Sequence, residues 1–292
     1  MQMSHEITSM AELRRSCSGD GLLLWASQGL PPGRPGRRPG HGVRRVRAWR
    51  RGDAVAVAAP FLSCRDRLAI HGPADQVAPL VRDVLAEVGT TFRLIGSEDL
   101  VAAVADRIDE LALLRTFGWM ETDRPAIRTA GGSRQPAEVA RWLDSSWSAP
   151  VAELLAETYP GSYARPGLAG VRRWAGAVPS DGILAAVAAD AWSAPDVGYI
   201  AGVVARTQLQ GQGYAAAAFR LVLDTLVAEH GRAALMVAAE NAPAVRLYRQ
   251  CGLSWRSLAA AGVASRHSVI RGDRTPVAER ISDQACMTGS GT

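Results

Sequence analysis

Lysine is absent from this 292-residue chain, and all 33 of its basic residues are arginine. The absence excludes a lysine nucleophile and a Schiff base. It also excludes the nucleotide loop G-x-x-x-x-G-K-[ST], whose lysine reaches the phosphates. Cysteine is scarce: Cys17, Cys64, Cys251 and Cys286 lie far apart, with no C-x-x-C pair and no neighbouring histidine pair. Neither a structural zinc site nor a disulfide framework is expected, and no metal is expected in the site. No apolar run approaches bilayer-spanning length, and the first residues, MQMSHEITSM, lack an apolar signal core. A soluble cytoplasmic protein with no membrane partner is therefore expected.

Apolar residues make up 48 % of the chain, enough for a sizeable core and too many for wholesale disorder. The length suits two domains of ordinary size. The Gly/Ser/Pro-containing stretch Thr129–Pro136 reads as their connection, which gives expected boundaries at 1–128 and 129–282, with a small, polar, disordered tail at 283–292. Net charge is +5, and its densest basic stretch runs from Pro31–Gly40 through Arg44, Arg45, Arg47, Arg50 and Arg51. That stretch reads as a solvated loop followed by an edge strand with arginines on its outer face. The alternative, a nucleic-acid contact, lacks the interleaved aromatics that would stack bases.

Patterning predicts a mixed α/β protein, a mostly antiparallel sheet with flanking helices. In the first half, strands are expected at Gly21–Ser27, Arg67–His71 and Phe92–Ile95, with a hairpin of Val43–Arg50 and Asp53–Ala59. Helices are expected at Asp75–Val88, from Ser97 or Asp99 through Ile108, and at Glu110–Thr116. In the second half, helices are expected at Ala137–Leu143, Pro150–Tyr159, Tyr214–His230 and just after Asn241. Strands are expected at Leu168–Trp174, Gly182–Trp192, Val197–Ala205, Ala234–Ala239, Leu253–Ala259 and Val263–Arg271.

One stretch carries chemistry. The strand ending Val203-Val204-Ala205 runs into Gln210-Gly211-Gln212-Gly213-Tyr214-Ala215, and a helix begins at once. Glycines at such a turn let backbone N–H groups face outward, and the helix N-terminus adds unpaired N–H groups and its positive dipole end. This is a phosphate cradle, suited to the pyrophosphate of a nucleotide-like cofactor.

The two halves also resemble each other. Leu80–Gly89 (LVRDVLAEVG) parallels Arg220–Gly231 (RLVLDTLVAEHG), and Leu113–Trp119 (LLRTFGW) parallels Leu247–Leu253 (LYRQCGL). Where the second half has the glycine loop, the first has Ile70-His71-Gly72-Pro73; where it has Tyr248, the first has Leu114. The first half thus reads as a degenerate copy that kept the scaffold and lost the loop.

Gln210–Ala215 matches the pattern [QR]-x-x-G-x-[GA]. Asn241–Leu253 (NAPAVRLYRQCGL) matches N-x-x-A-x-x-[LF]-Y-x-x-x-G-[FL]. In this order, with strand and helix between them, the two motifs resemble the GNAT superfamily of N-acetyltransferases, over roughly residues 130–275. The resemblance implies acetyl-coenzyme A, or another short acyl-coenzyme A, as co-substrate. Backbone amides of Gln210, Gly211, Gln212, Gly213, Tyr214 and Ala215 would hold its pyrophosphate. Val203, Val204 and Ala205 would pair with the pantetheine amides. Asn241 would touch the pantetheine arm or hold the strand gap open, and Tyr248 would protonate the leaving thiolate. Many family members carry a glutamate on the strand before the loop; here that strand has no acid. Glu240 is one candidate base, and Tyr199 ordering a water is another. The expected activity is transfer of an acetyl group to the primary amine of a small molecule: an amino sugar, an amino acid or a peptide-like metabolite, an antibiotic among them. A non-catalytic acyl-coenzyme A sensor is the alternative, and a homodimer is left open.

Overall fold

The computed structural model describes residues 4–30, 45–127 and 140–264. The first half runs β1 (His5–Ile7), α1 (Met10–Ser16), α2 (Gly21–Ala26), β2 (Arg47–Arg51), β3 (Ala54–Leu62), β4 (Arg65–His71), α3 (Ala74–Val88), β5 (Arg93–Ser97), α4 (Glu98–Ala105) and β6 (Leu111–Thr122). The second runs β7 (Ala140–Trp142), α5 (Ser148–Thr158), β8 (Val171–Ala177), β9 (Ala186–Ala191), β10 (Gly198–Ala205), α6 (Tyr214–His230), β11 (Ala233–Val237), α7 (Ala242–Gln250) and β12 (Ser254–Val263).

All twelve strands form one sheet in the order β1-β2-β3-β4-β5-β12-β6-β11-β10-β9-β8-β7. Only β4–β5 and β10–β11 pair parallel, each across a helix, α3 and α6 respectively. The expected mixed, mostly antiparallel sheet with flanking helices is what forms. The order reads the same from either end once β6 and β12 exchange roles. β12 lies against β5 of the first half, and β6 lies against β11 of the second. Between them, β6 and β12 pair antiparallel from Ser254↔Glu121 to Val263↔Leu111. Each half therefore completes the sheet of the other, and pulling them apart would expose both strand edges.

Period-two geometry sorts the core. Val55, Val57 and Ala59 enter one cluster, and Ala54, Ala56 and Ala58 another. The first cluster spans both halves, from Ile7 and Trp25 to Val187, Tyr199 and Leu258, beneath α1, α2 and α5. On the other face, α3 and α4 cover one cluster and α6 and α7 a third.

Several elements differ from the sequence reading. Gly21–Ala26 is a helix, not a strand: Asp20 caps it, its carboxylate accepting from the N–H groups of Leu22 (2.9 Å) and Leu23 (3.2 Å). A helix buried on every side shows no 3.6-residue period, so GLLLWA could not declare itself. Glu110–Thr116 was expected to be helical for its leucine and alanine; the flanking ladders of β11 and β12 hold it as β6 instead. Residues 140–142 of the expected helix Ala137–Leu143 are strand β7, paired with Ala175–Ala177. β12 runs without a break from Ser254 to Val263, and the expected strand Val263–Arg271 lies, beyond Ala264, outside the described residues. β2 is not an edge strand, because β1 covers it at His5↔Arg50. Its arginines meet acids: Arg47 pairs with Glu6 and Glu87, and Arg51 with Asp83. The remaining basic loop, 31–44, the connection 128–139 and the tail lie outside the described residues.

The internal repeat holds at the level of topology, and one of its two sequence matches does not. LVRDVLAEVG and RLVLDTLVAEHG fall on the equivalent helices α3 and α6. LLRTFGW lies in β6 and LYRQCGL ends α7, a strand against a helix, so that match is fortuitous. The counterpart of α7 is α4, which carries no tyrosine.

Candidate active site between the two halves

β10 and β11 pair only at Gly198↔Ala233 and Tyr199↔Ala234, after which they diverge. In the first half the equivalent β4 runs only two residues beyond its last parallel pair, Ala69↔Ile95. The divergence in the second half is fixed by two things. β11 continues straight onto β6, from Ala233↔Thr122 to Val237↔Gly118. β10 follows β9, with a register shift between Ala201 and Val204. Gly202 sits in that bulge at φ +61°, and a Cβ there would lie 2.7 Å from Trp174 and 3.3 Å from Ala164. Only glycine fits. Gly202 and Val203 have no register partner on β9, and on its other edge β10 has no ladder partner beyond Tyr199, so that edge borders the gap. Val204 and Ala205 rejoin the ladder opposite Val187 and Ala186.

Beyond β10 a 3₁₀ turn, Thr207–Leu209, leads into the glycine loop. Gln210, Gly211 and Gln212 are exposed, Gly211 with φ +77°. Gln212 donates its side-chain amide to the Gln208 carbonyl at 3.4 Å. Gly213, at φ +88°, is the N-cap of α6, and no side chain caps the helix. The first intrahelical bond is Ala217 N–H to the Gly213 carbonyl, 2.9 Å. The N–H groups of Tyr214, Ala215 and Ala216 thus lack helix partners and point the dipole's positive end at the loop. In the first half the residue at this place is Pro73, which has no N–H, and a Cβ on Gly72 would lie 2.5 Å from the Asp53 carbonyl oxygen.

The gap opens into a cavity of about 210 Å³. The second half contributes Tyr199, Ile200, Ala201 and Gly202 of β10, Met236 and Val237 of β11 with Ala238 after it, and Tyr159 and Tyr163 after α5. The first half contributes Ser63, Arg65, Asp66, Arg67, Arg93, Arg115 and Phe117. Tyr199 is buried and stacks on Trp25 with centroids 4.5 Å apart. Burial, offset in part by Arg67 and by a backbone hydrogen bond at Met236, pushes its phenol up to about 12. It cannot accept a proton at neutral pH, and holding a water by hydrogen bonds is the most it can do.

Tyr248 does not line the cavity. It packs behind the gap in the cluster under α6 and α7, its ring 4.7 Å from Phe219. Burial raises its phenol well above the ordinary range, and Cys251, Tyr199 and Tyr159 add to the shift. Glu240 is exposed in the turn after β11 and is not among the cavity residues. Asn241 is exposed too, and its side-chain oxygen caps α7 by accepting from Ala244 N–H at 3.3 Å. Cys251 is fully buried in the same cluster as Tyr248 and packs as a small apolar residue.

The structure therefore groups the glycine loop, the α6 N-terminus and the β10 bulge, sets Tyr248 behind them, and leaves Glu240 outside. Sequence reasoning missed the first-half arginines. A signal was there: in Arg65–His71, alternation puts Arg67 on the face of Ala69, a core position. Among the described residues no helix is long and apolar enough to cross a membrane, and no group of three His, Cys, Asp or Glu could hold a metal ion.

Comparison with known proteins places residues 138–253 in the acetyltransferase (GNAT) family model. A GCN5-related N-acetyltransferase from Kribbella flavida is 16 % identical, over 89 % of this chain and 98 % of that one, with a TM-score of 0.51. A Drosophila protein from structural genomics is 12 % identical, over 75 % and 80 %, with a TM-score of 0.50. A tandem GNAT protein from the clavulanic acid biosynthesis pathway is 13 % identical, over 91 % and 99 %, with a TM-score of 0.41. No curated protein matches the sequence.

Proposed function

We propose that this chain, which carries a GNAT acetyltransferase domain at residues 138–253, transfers an acetyl group from acetyl-coenzyme A to the primary amine of a small molecule, both held at once. The observation that carries this reading is the divergence of β10 from β11, open at one end to the glycine loop and at the other to the inter-half cavity. The residues fit the donor. The uncapped N–H groups of Tyr214 to Ala216, with the loop Gln210–Gly213, suit a pyrophosphate. The β11-side edge of β10 beyond Tyr199, which has no ladder partner, suits the amides of an extended arm and can donate to oxygen where negative charge develops. Acetyl-coenzyme A supplies an activated acetyl thioester. The new bond is amine nitrogen to acetyl carbon, and the bond that breaks is carbon to sulfur.

We assign the proton for the departing sulfur to Tyr248, the hydroxyl supplied by the Asn241–Leu253 motif; burial keeps it protonated at neutral pH. On β10 there is no carboxylate, and Glu240 faces solvent outside the cavity, so we assign removal of the amine proton to water. Proximity of the two substrates supplies much of the rate. We take the first half as the acceptor wall, since Pro73 and the short β4 leave it without a cradle of its own.

The test is free-thiol release from acetyl-coenzyme A with a panel of amines: amino sugars, amino acids and small peptides. Turnover on any of them upholds the reading; tight acetyl-coenzyme A binding with none turned over would favour a sensor. Gly213→Val is expected to weaken acetyl-coenzyme A binding about tenfold or more, because valine resists positive φ and blocks close backbone approach. Unchanged affinity by calorimetry would remove the loop from the site.

A further inference from the structure

The cavity wall built by the first half is rich in arginine. Four guanidinium groups, of Arg65, Arg67, Arg93 and Arg115, line it against one carboxylate, Asp66. Asp66 already accepts from the Phe61 N–H at 3.2 Å and the Thr91 hydroxyl at 2.7 Å. Arg65 donates to the Tyr163 hydroxyl at 2.8 Å and fixes that ring at the rim.

Arg67 is the centre of the group. It is only 9 % exposed. Its Nε donates to the Leu62 carbonyl at 3.0 Å and to the Ser63 hydroxyl at 3.2 Å, and one terminal nitrogen donates to the same hydroxyl at 2.7 Å. Its guanidinium carbon lies 5.7 Å from the centre of the Trp25 ring. Every one of these partners is neutral. Elsewhere the chain pairs its half-buried arginines with acids: Arg47 with Glu6 and Glu87, Arg173 with Asp190 and Glu229, Arg256 with Asp20. Among the described residues Arg67 has no such carboxylate. A buried charge without a counter-ion costs several kcal/mol, so a site of this kind is built to receive one. Burial, together with Arg65 and Arg93, also holds the Arg67 pKa below its usual range.

We propose that the inter-half cavity selects an acceptor that carries, besides its amine, a carboxylate or phosphate held by Arg67 and its neighbours. The inference rests on the acetyl-transfer reading for the amine, and on the arginines alone for the anion. The same charge serves the chemistry. An ammonium entering this cavity is disfavoured, so the bound amine is biased to its neutral, nucleophilic form. The anion offsets that repulsion for the molecule as a whole and orients it bidentately.

The experiment measures binding by calorimetry and thiol release for three primary amines of similar size: β-alanine, phosphoethanolamine and ethanolamine. At least one anionic amine is expected to bind about tenfold or more tighter than ethanolamine, a typical effect of a charge-assisted hydrogen bond. Which of the two binds decides between carboxylate and phosphate. Two variants separate a binding role from a structural one. Arg67→Met should abolish the preference while leaving Tm unchanged or raised, since methionine removes a buried charge. Arg115→Gln, on an exposed part of β6, should weaken the anionic amine severalfold, with ethanolamine and acetyl-coenzyme A binding unaltered. Equal binding of all three amines would overturn the proposal. So would a preference that survives in Arg67→Met. Anion-selective binding without thiol release would instead uphold the anion site and count against acetyl transfer.

Discussion

Tyr248→Phe is expected to lower kcat by about 10²–10⁴, the usual effect of losing an acid–base group, with little change in acetyl-coenzyme A affinity or Tm. Phenylalanine keeps the ring packed against Phe219, so only the hydroxyl and its proton are lost. The direction of the pKa shift bears on the pH profile. Burial raises the phenol, so its protonated form persists beyond about pH 10, the ordinary phenol value. A fall in rate on the alkaline side below that point must then come from another group, and Tyr248→Phe should reduce the rate by the same factor from pH 6 to 9. Steady-state kinetics on the two proteins across that range decides it. An unchanged kcat would make Tyr248 a packing residue of the α6–α7 cluster and nothing more.

Trp25→Ala is expected to cost about 3–5 kcal/mol of stability, the range for emptying a large aromatic site. Trp25 is fully buried. Its ring stacks on Tyr199 of the second half at 4.5 Å and lies 5.8 Å from Trp119 of the first. Its Nε1 donates to the Trp192 carbonyl at 2.9 Å. That carbonyl also accepts from Gln28 at 2.9 Å, so it is not orphaned in the variant. The dominant loss is the aromatic cluster that joins the halves beneath the active site. Because β6 and β12 are exchanged between the halves, unfolding should remain a single cooperative step with a lowered denaturant midpoint. A loss below about 1 kcal/mol, the ordinary cost of a point mutation, would mean the strand exchange alone holds them together. The variant should also turn over more slowly, since Tyr199 and Arg67 both rest on the Trp25 ring.

The glycine loop and the Asn241 helix were legible because local chemistry fixes their conformation. Gln210–Ala215 and Asn241–Leu253 are contiguous motifs whose glycines, cap and helix start act within a few residues of themselves, and the structure puts loop, cap and helix where those residues direct them. Legibility failed wherever partners far along the chain decide. Glu110–Thr116 reads as a helix, yet from Leu111 it is strand because β11 and β12 flank β6. Gly21–Ala26 has the composition of a strand and becomes a helix because Asp20 caps it and the shared core surrounds it. Glu240, adjacent in sequence to the Asn241 cap, is turned to solvent by the same turn that sets the cap.

The acceptor side was decided by tertiary structure alone. Arg65, Arg67, Arg93 and Arg115 come from three strands of the first half and meet β10 of the second only because β6 and β12 cross between the halves of the sheet. By itself the sequence determined the glycine loop and the helix behind it, since each is written in neighbouring residues. Only the folded chain decided which half's arginines face the gap between β10 and β11, because a buried guanidinium acquires its meaning from what does, and does not, surround it.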